Sequence, residues 1–206
     1  MKLLKQFNEL ITKKFKVNAL GSPVFYNFPI GIRFEIGNGS PFEKNTKEIK
    51  KSYVENCIFR ANKIFQDIFN NNDEVIIVID SNEDNLSIIE TLTSDYIDCF
   101  SFDCKYDEED ECVFKRLLYK VKVESVNFLR LIEEIIWSDL GRMNGFNSSI
   151  YIISIANETI YFLYDDRGLD VVASNKVSIE SLYYKYNDWI LEYDRDKINL
   201  LFDIQL

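Results

Sequence analysis

The chain contains no histidine among its 206 residues. Histidine is the commonest general base and the commonest transition-metal ligand in proteins. Serine–histidine and cysteine–histidine nucleophile systems therefore cannot be built from this sequence. Any catalysis would have to use carboxylates, lysine, tyrosine or a metal held by carboxylates.

Basic residues are scarce relative to acidic ones. The 24 lysines and arginines stand against 34 aspartates and glutamates, which gives a formal net charge of −10 at pH 7. Binding to nucleic acid, or to an anionic membrane, requires a basic surface. The charge therefore argues against a nucleic-acid or membrane partner, and it suits the capture of a basic protein partner.

Long apolar runs are also missing. Lys5, Asn8 and Glu9 interrupt the first residues, so no secretory signal is predicted. Even the apolar run 75–79 is far too short to cross a bilayer. These features favour a cytoplasmic protein.

Four cysteines are present, and their spacing does not fit a zinc ribbon. Cys99, Cys104 and Cys112 are separated by four and seven residues, and histidine cannot complete such a site. Cys57 falls on the apolar face of a predicted helix, where cysteine acts as a small hydrophobic residue. We expect neither a structural metal nor a cofactor.

Hydrophobic periodicity predicts one α+β domain over residues 1–206. Apolar residues at helical spacing predict helices at 3–15, 46–69, 84–92, 128–136 and 178–190. Alternating or continuous β-branched runs predict strands at 32–36, 75–79, 96–102, 113–123, 150–155, 159–164 and 169–173. The segment 198–204 is either helical or extended.

The predicted strands suggest a mainly antiparallel sheet. The last three form a C-terminal meander, and the β-branched run 75–79 reads as a central strand buried on both faces. Alternation in the other strands suggests helices packed on one face and solvent on the other.

An acidic turn with an arginine follows the predicted strand 159–164. Charges placed in apolar surroundings cost free energy unless they are paired or used. The structural interpretation is that Asp166 accepts backbone N–H groups, Gly168 supplies a positive φ, and Arg167 forks onto Asp170 or Asp194. The functional alternative is a carboxylate group around Asp165 that holds Mg²⁺ or binds a partner's arginine.

A second cluster of acids, aromatics and an arginine spans 186–195. Trp189 is expected to anchor the core or its edge. Asp188 and Glu192 are four residues apart and would share a helix face, with Arg195 offsetting both. We expect the two late clusters to meet in one ionic network that locks the meander to the last helix.

Arg33 and Glu35 flank Phe34 and point to one face of the first strand. They could join cross-strand ion pairs or form the rim of a pocket, and pairing is favoured. Together with the two late clusters they complete the set of candidate binding residues: Arg33, Glu35, Asp165, Asp166, Arg167, Asp170, Asp188, Trp189, Asp194 and Arg195.

Four segments resemble the motifs of an uncharacterised bacterial domain family. They are Gly-Ile-Arg-Phe-Glu at 31–35, Arg-Ala-x-x-Ile-Phe at 60–65, Tyr-Asp-Asp-Arg-Gly-Leu-Asp-Val at 164–171 and Tyr-x-x-Trp-Ile-Leu-Glu-Tyr-Asp-Arg at 186–195. Glu192 stands where the family pattern has aspartate, which keeps the charge. The family has no established activity. Small acidic bacterial proteins of similar type often act as immunity proteins, and that likeness is an analogy.

Three functions remain open, and a binding protein is favoured over an enzyme. The first is an immunity-type protein that neutralises a basic toxin through surface carboxylates and exposed aromatics. The second is an Mg²⁺- or Mn²⁺-dependent hydrolase around Asp165, Asp166 and Asp170, in which Arg167 or Arg195 stabilises an anion.

The third is a small-ligand module whose pocket is lined by Trp189, Tyr164 and Arg33.

Overall fold

A computed structural model describes residues 2–81, 92–93, 95–105, 113–141 and 148–202. Its centre is a seven-stranded sheet with the order β1-β7-β6-β5-β2-β4-β3, in which every neighbouring pair is antiparallel. The strands are β1 (Gly31–Glu35), β2 (Glu74–Ser81), β3 (Asp98–Lys105), β4 (Val113–Lys122), β5 (Ser148–Ser154), β6 (Thr159–Leu163) and β7 (Gly168–Ala173).

Six α-helices accompany the sheet in the described ranges: α1 (Lys2–Glu9), α2 (Val24–Asn27), α3 (Lys51–Ile68), α4 (Phe128–Asp139), α5 (Val177–Lys185) and α6 (Arg195–Leu201). A π-helical turn at Leu10–Lys14 extends α1. Single 3₁₀ turns lie at Val123–Ser125, Asn187–Trp189 and Glu192–Asp194. None of the described helices is both long enough and apolar enough to cross a membrane.

The predicted α+β class, the antiparallel sheet and the C-terminal meander β5-β6-β7 are confirmed. The run 75–79 does form a central strand, since β2 lies between β5 and β4 and these five side chains are at most 1% exposed. The predicted helix 84–92 falls almost entirely outside the described residues. The acidic sequence Asp-Glu-Glu-Asp-Glu at 107–111, between the predicted strands 96–102 and 113–123, lies wholly outside them.

The expectation that one face of the sheet meets solvent is wrong. Every residue of β6 and β7 is buried, because apolar clusters cover both faces. Ile32 and Phe34 of β1 lie in the larger cluster, with the apolar sides of α3, α4, α5 and α6. Val172 of β7 lies in the smaller cluster, with α1 and residues 10–28.

The predicted last helix, 178–190, ends earlier than its pattern indicates. Helix α5 stops at Lys185, and the chain is extended at Ile190 and Leu191. Ile190 forms a β-bridge with Phe34, and the Leu191 N–H donates to the carbonyl of Arg33 over 2.9 Å. The free edge of β1 therefore holds this segment, and Asp188 and Glu192 do not share a helix face.

Within the segment 198–204, residues 198–201 are helical and belong to α6, whereas residues 203–204 lie outside the described residues. Helix α3 begins later than the predicted range 46–69 indicates, because its first residue is Lys51 and Lys50 occupies the cap position.

Candidate functional site

Arg33 and Asp170 form a buried cross-strand ion pair. Antiparallel pairing of β1 with β7 sets the two residues opposite each other. Arg33 Nε donates to Asp170 Oδ1 over 2.7 Å and Nη2 donates to Oδ2 over 3.0 Å, while the backbone N–H of Phe25 adds a third bond to Oδ2. Asp170 is fully buried, so this bidentate geometry compensates a charge that would otherwise be costly.

Aromatic rings and a second carboxylate complete the surroundings of Arg33. Its guanidinium carbon lies 4.6 Å from the ring centre of Tyr26 and 5.4 Å from that of Tyr164. Arg33 Nη1 is 3.7 Å from Asp194 Oδ2, and the Tyr26 hydroxyl donates to the same carboxylate. Burial opposes the charge on Arg33, but the hydrogen bonds and charge of Asp170 outweigh it and raise the arginine's pKa.

The acidic turn between β6 and β7 is organised by Asp165. Its Oδ1 accepts the backbone N–H groups of Arg167 and Gly168, over 2.8 and 3.0 Å. Its Oδ2 accepts both Nε and Nη2 of Arg167. The prediction that Asp166 accepts the backbone N–H groups of the turn is wrong, because the preceding residue, Asp165, accepts them. Arg167 binds this local carboxylate and neither Asp170 nor Asp194.

Gly168 is required by a close approach and not by its backbone angle. The described glycines with positive φ are Gly39 and Gly141, so the predicted positive φ at Gly168 is wrong. A Cβ at position 168 would lie 1.7 Å from the hydroxyl oxygen of Tyr164 and 2.2 Å from its Cζ. The tyrosine ring occupies the space that any larger residue needs.

Asp166 points away from Asp165, toward α3 and the end of α4. It is 3% exposed, and its Oδ2 accepts the hydroxyl proton of Tyr53 over 2.6 Å. Asp139, the last residue of α4, shares a hydrogen bond with the Asp166 carboxylate. That bond, with burial and the charges of Asp165 and Asp166, raises the pKa of Asp139 to about 6.

Gly37 allows Tyr53 to reach this carboxylate. A Cβ at position 37 would lie 2.2 Å from the Tyr53 hydroxyl oxygen and 2.8 Å from the backbone oxygen of Asp166. The loop after β1 thus passes directly over the hydrogen bond between Tyr53 and Asp166.

Arg195 stabilises its own segment. It donates to Glu192 Oε2 over 2.6 Å, to the carbonyl of Ile190 over 3.1 Å, and to both the side chain and the carbonyl of Asn187. Asp188 is exposed. The expected single network is therefore wrong: Arg167 pairs with Asp165, Arg195 with Glu192, and Asp194 with Arg33.

Trp189 and Arg33 lie on opposite faces of the sheet. Trp189 stacks on Tyr186 with ring centres 4.6 Å apart, and it packs against the larger apolar cluster. Ile32 and Phe34 face that cluster. Because side chains alternate along a strand, the Arg33 side chain projects from the opposite face of the sheet. The expected pocket lined jointly by Trp189, Tyr164 and Arg33 is wrong.

Glu35 is exposed, and its backbone carbonyl accepts a hydrogen bond from Arg60 Nη1.

These motifs fall inside a known family. The family described as "Domain of unknown function (DUF3885)" matches residues 7–194. The chain belongs to this family. The predicted membership of an uncharacterised family is confirmed, and the matched range contains every candidate residue except Arg195.

A relative of this DUF3885 chain is the uncharacterised protein YnaE of Bacillus subtilis strain 168. The two are 20% identical over 204 residues, which cover 89% of this chain and 96% of YnaE. No solved structure matches the chain.

Sequence reasoning missed a second buried ion pair in this DUF3885 protein. Arg116 of β4 stands opposite Asp80 of β2 and binds it bidentately, with two bonds of 2.6 Å, and also donates to the carbonyl of Leu20. Burial raises the pKa of Asp80 although Arg116 opposes the shift. The sequence does carry one indication of this pair, because Asp80 directly follows the β-branched run 75–79 that predicts a buried strand.

Asp139 and Tyr53 were also missed. Neither belongs to a charged motif, and they meet Asp166 only because α3 and α4 pack beside each other.

Proposed function

We propose that this DUF3885 protein is a non-enzymatic binding protein that captures a basic protein partner, in the manner of an immunity protein. The net charge of −10 supports this direction. An acidic surface steers a basic partner toward the encounter and rejects acidic competitors.

The buried charges act within the fold. Asp170 is engaged by Arg33 and the Phe25 N–H, Asp165 by Arg167 and two backbone N–H groups, and Asp80 by Arg116. Two of the three carboxylates proposed for a metal-dependent hydrolase are thus already bonded to arginines. This occupancy favours binding over hydrolysis, because a metal would have to displace an arginine from each.

One exposed surface has the chemistry that a basic partner requires. We call it the tyrosine surface, defined by Asp188, Glu192, Tyr193 and Asp196. Tyr193 is 86% exposed, more than any other large hydrophobic residue of the described ranges. All three acids of the surface are exposed as well; Asp188 and Asp196 carry its free negative charge, while Glu192 also accepts Arg195. Tyrosine is enriched at the energetic centres of interfaces, and acids around it attract lysine and arginine.

The backbone under Tyr193 is held firmly. Arg195 clamps the two 3₁₀ turns by donating to Glu192, Asn187 and Ile190. Leu191 joins the segment to β1, and Asp194 accepts the Tyr26 hydroxyl. A preorganised side chain loses less entropy on binding. The exposure of Tyr193 on this fixed turn is the observation that carries the proposal.

Co-expression with the products of neighbouring genes tests the proposal. We expect a basic product to co-purify and, if it is toxic, to be neutralised. Tyr193→Ala should weaken the complex about 30-fold, corresponding to about 2 kcal/mol for an interface centre. The dissociation constant is measured by calorimetry or surface plasmon resonance.

Tyr184→Ala is the matched control. Tyr184 is 60% exposed but belongs to α5, outside the tyrosine surface. Its removal should leave the dissociation constant within about twofold, as most contacts outside an interface centre do. If no neighbouring product binds, the proposed function is wrong. Equal effects of the two substitutions would place the interface elsewhere.

A further inference from the structure

A cavity of about 550 Å³ opens beside Asp166. Its walls include Phe42, Tyr53, Asp139 and Arg167, with Asp166 among them. The volume lies within the range of about 300–1,000 Å³ that is typical of small-ligand sites. We call it the acid cavity, defined by these five residues.

The buried carboxylate of the acid cavity lacks a cationic partner among the residues that the structure describes. Asp166 is 3% exposed, accepts one hydroxyl bond from Tyr53, and otherwise faces the carboxyl group of Asp139. Arg167 is directed to Asp165, and its side chain is 76% exposed. Buried carboxylates are ordinarily paired with a cation or bound to several donors. Asp166 thus has acceptor capacity that faces a cavity.

The charge of the site selects the sign of its occupant. Among the described residues that line the cavity, the carboxyl groups of Asp139 and Asp166 outnumber the one cationic group, the Arg167 guanidinium, which Asp165 already binds. The net charge is therefore negative, and a second anion would be repelled. Phe42, which is 43% exposed, and Tyr53 add aromatic surface that suits an alkyl chain ending in a cation.

We propose that the acid cavity takes a lysine or arginine side chain of the basic protein partner, with its cationic group held between Asp139 and Asp166. This inference rests on the proposed function and adds a second anchor to the tyrosine surface. The aliphatic part of the side chain lies against Phe42 and Tyr53, and the cation gives Asp166 a positive counter-charge that none of the described residues provides.

Below about pH 6, binding of this cation releases one proton from Asp139. The free site holds a proton on Asp139 below pH 6, and a cation between the two carboxylates takes that proton's place. The groups that face Asp139 are Asp165, Asp166 and Arg167 of the turn. On α3, burial raises the pKa values of Tyr53, which lines the cavity, and of Cys57 near Asp166, so both stay neutral. Affinity for the cation should therefore fall as the pH drops below 6.

Small probes test the cavity without the partner. N-acetyl-lysine methylamide and N-acetyl-arginine methylamide are titrated by calorimetry or NMR, with N-acetyl-norleucine methylamide as the neutral isostere. We expect the cationic probes to bind at pH 7.5 and to bind about tenfold more weakly at pH 5, as linkage to one proton with a pKa of about 6 requires. The neutral probe should not bind measurably.

Asp139→Asn is the decisive variant, because Asp139 is exposed at a helix end and its replacement preserves the fold. At pH 7.5 it should weaken both cationic probes about tenfold and abolish the difference between pH 5 and pH 7.5. The matched control is Asp103→Asn, which removes an exposed carboxylate from β3 at the far edge of the sheet. The control should leave probe affinity unchanged.

The outcomes separate this inference from the proposed function. If the neutral probe binds as well as the cations, or if no cation binds while the partner is still captured through Tyr193, the acid cavity is not a cation site and the proposed function stands. If the cations bind with the expected pH dependence but no basic partner is captured, the proposed function fails. In the complex, Asp139→Asn should weaken capture of the partner about tenfold, and an unchanged affinity would overturn the second anchor.

Discussion

Two arginines of the family motifs differ because only one is buried. The Arg33 side chain is 12% exposed and pairs with a fully buried carboxylate, whereas the Arg167 side chain is 76% exposed. Removing one partner of a buried pair leaves an uncompensated charge in the interior. Solvent screens the Arg167 guanidinium, and its buried partner Asp165 keeps two backbone N–H donors when the arginine is removed, so this pair adds little.

Arg33→Met should therefore lower the free energy of unfolding by about 3–5 kcal/mol, as measured by urea denaturation at pH 7. Arg167→Ala is the matched comparison and should cost no more than about 1 kcal/mol. The motif alone suggested that Arg167 sits in a buried network, for which a loss of several kcal/mol would be expected. A large loss for Arg167→Ala together with a small loss for Arg33→Met would contradict the assignment.

Adjacent carboxylates in a turn could not be told apart from the sequence. Asp165 and Asp166 are chemically identical, and the backbone angles of the turn decide which one accepts its N–H groups. The pairing of Arg33 across strands follows from the alternation of β1. Its partner Asp170, however, is set by a strand register between residues 137 positions apart. Asp139 carries no local signal, because its environment arises from tertiary packing.

At the level of elements, period-2 alternation located the strands well because it depends on local burial. The segment 186–190 was misread because its apolar spacing is also compatible with a helix. The extended conformation is selected by a hydrogen bond to a residue distant in sequence, since the Leu191 N–H donates to the carbonyl of Arg33 on the open edge of β1. Hydrogen bonds to a sheet edge favour the extended form there, and no local pattern encodes that partner.

Leu191→Pro tests this edge contact. Leu191 has φ −59° and Ile190 has φ −64° and ψ 129°, angles that proline and its preceding residue readily adopt. The substitution thus removes chiefly the N–H that binds the Arg33 carbonyl. We expect it to lower the free energy of unfolding by about 1 kcal/mol beyond Leu191→Ala, which loses the same side chain but keeps the N–H. Equal stability of the two variants would show that the contact is not formed in solution.

For the molecule as a whole, the pH dependence of stability should carry a contribution from Asp139. Its pKa is raised from 3.8 to about 6, so the folded state binds this proton more tightly than the unfolded chain does. The resulting stabilisation is fully present below about pH 4 and is lost as the pH rises through 6. Because Asp139 is exposed, solvent screening limits the effect to about 1 kcal/mol.

The difference between wild type and Asp139→Asn isolates this contribution. From pH 4 to pH 7, the unfolding free energy of the wild type should fall by about 1 kcal/mol relative to the variant, as measured by urea denaturation at each pH. Parallel pH profiles would show that Asp139 titrates as an ordinary aspartate.

The strand order also has a consequence for synthesis on the ribosome. Strand β1 pairs with β7 and with the later segment at Ile190, so its partners are translated more than a hundred residues after it. At about 5–20 residues per second, this separation delays pairing by on the order of ten seconds. Throughout that time Ile32 and Phe34, which are completely buried in the finished fold, lack the part of their cover that β7 and Ile190 supply. The nascent chain should therefore depend on chaperones until its last fifth has emerged.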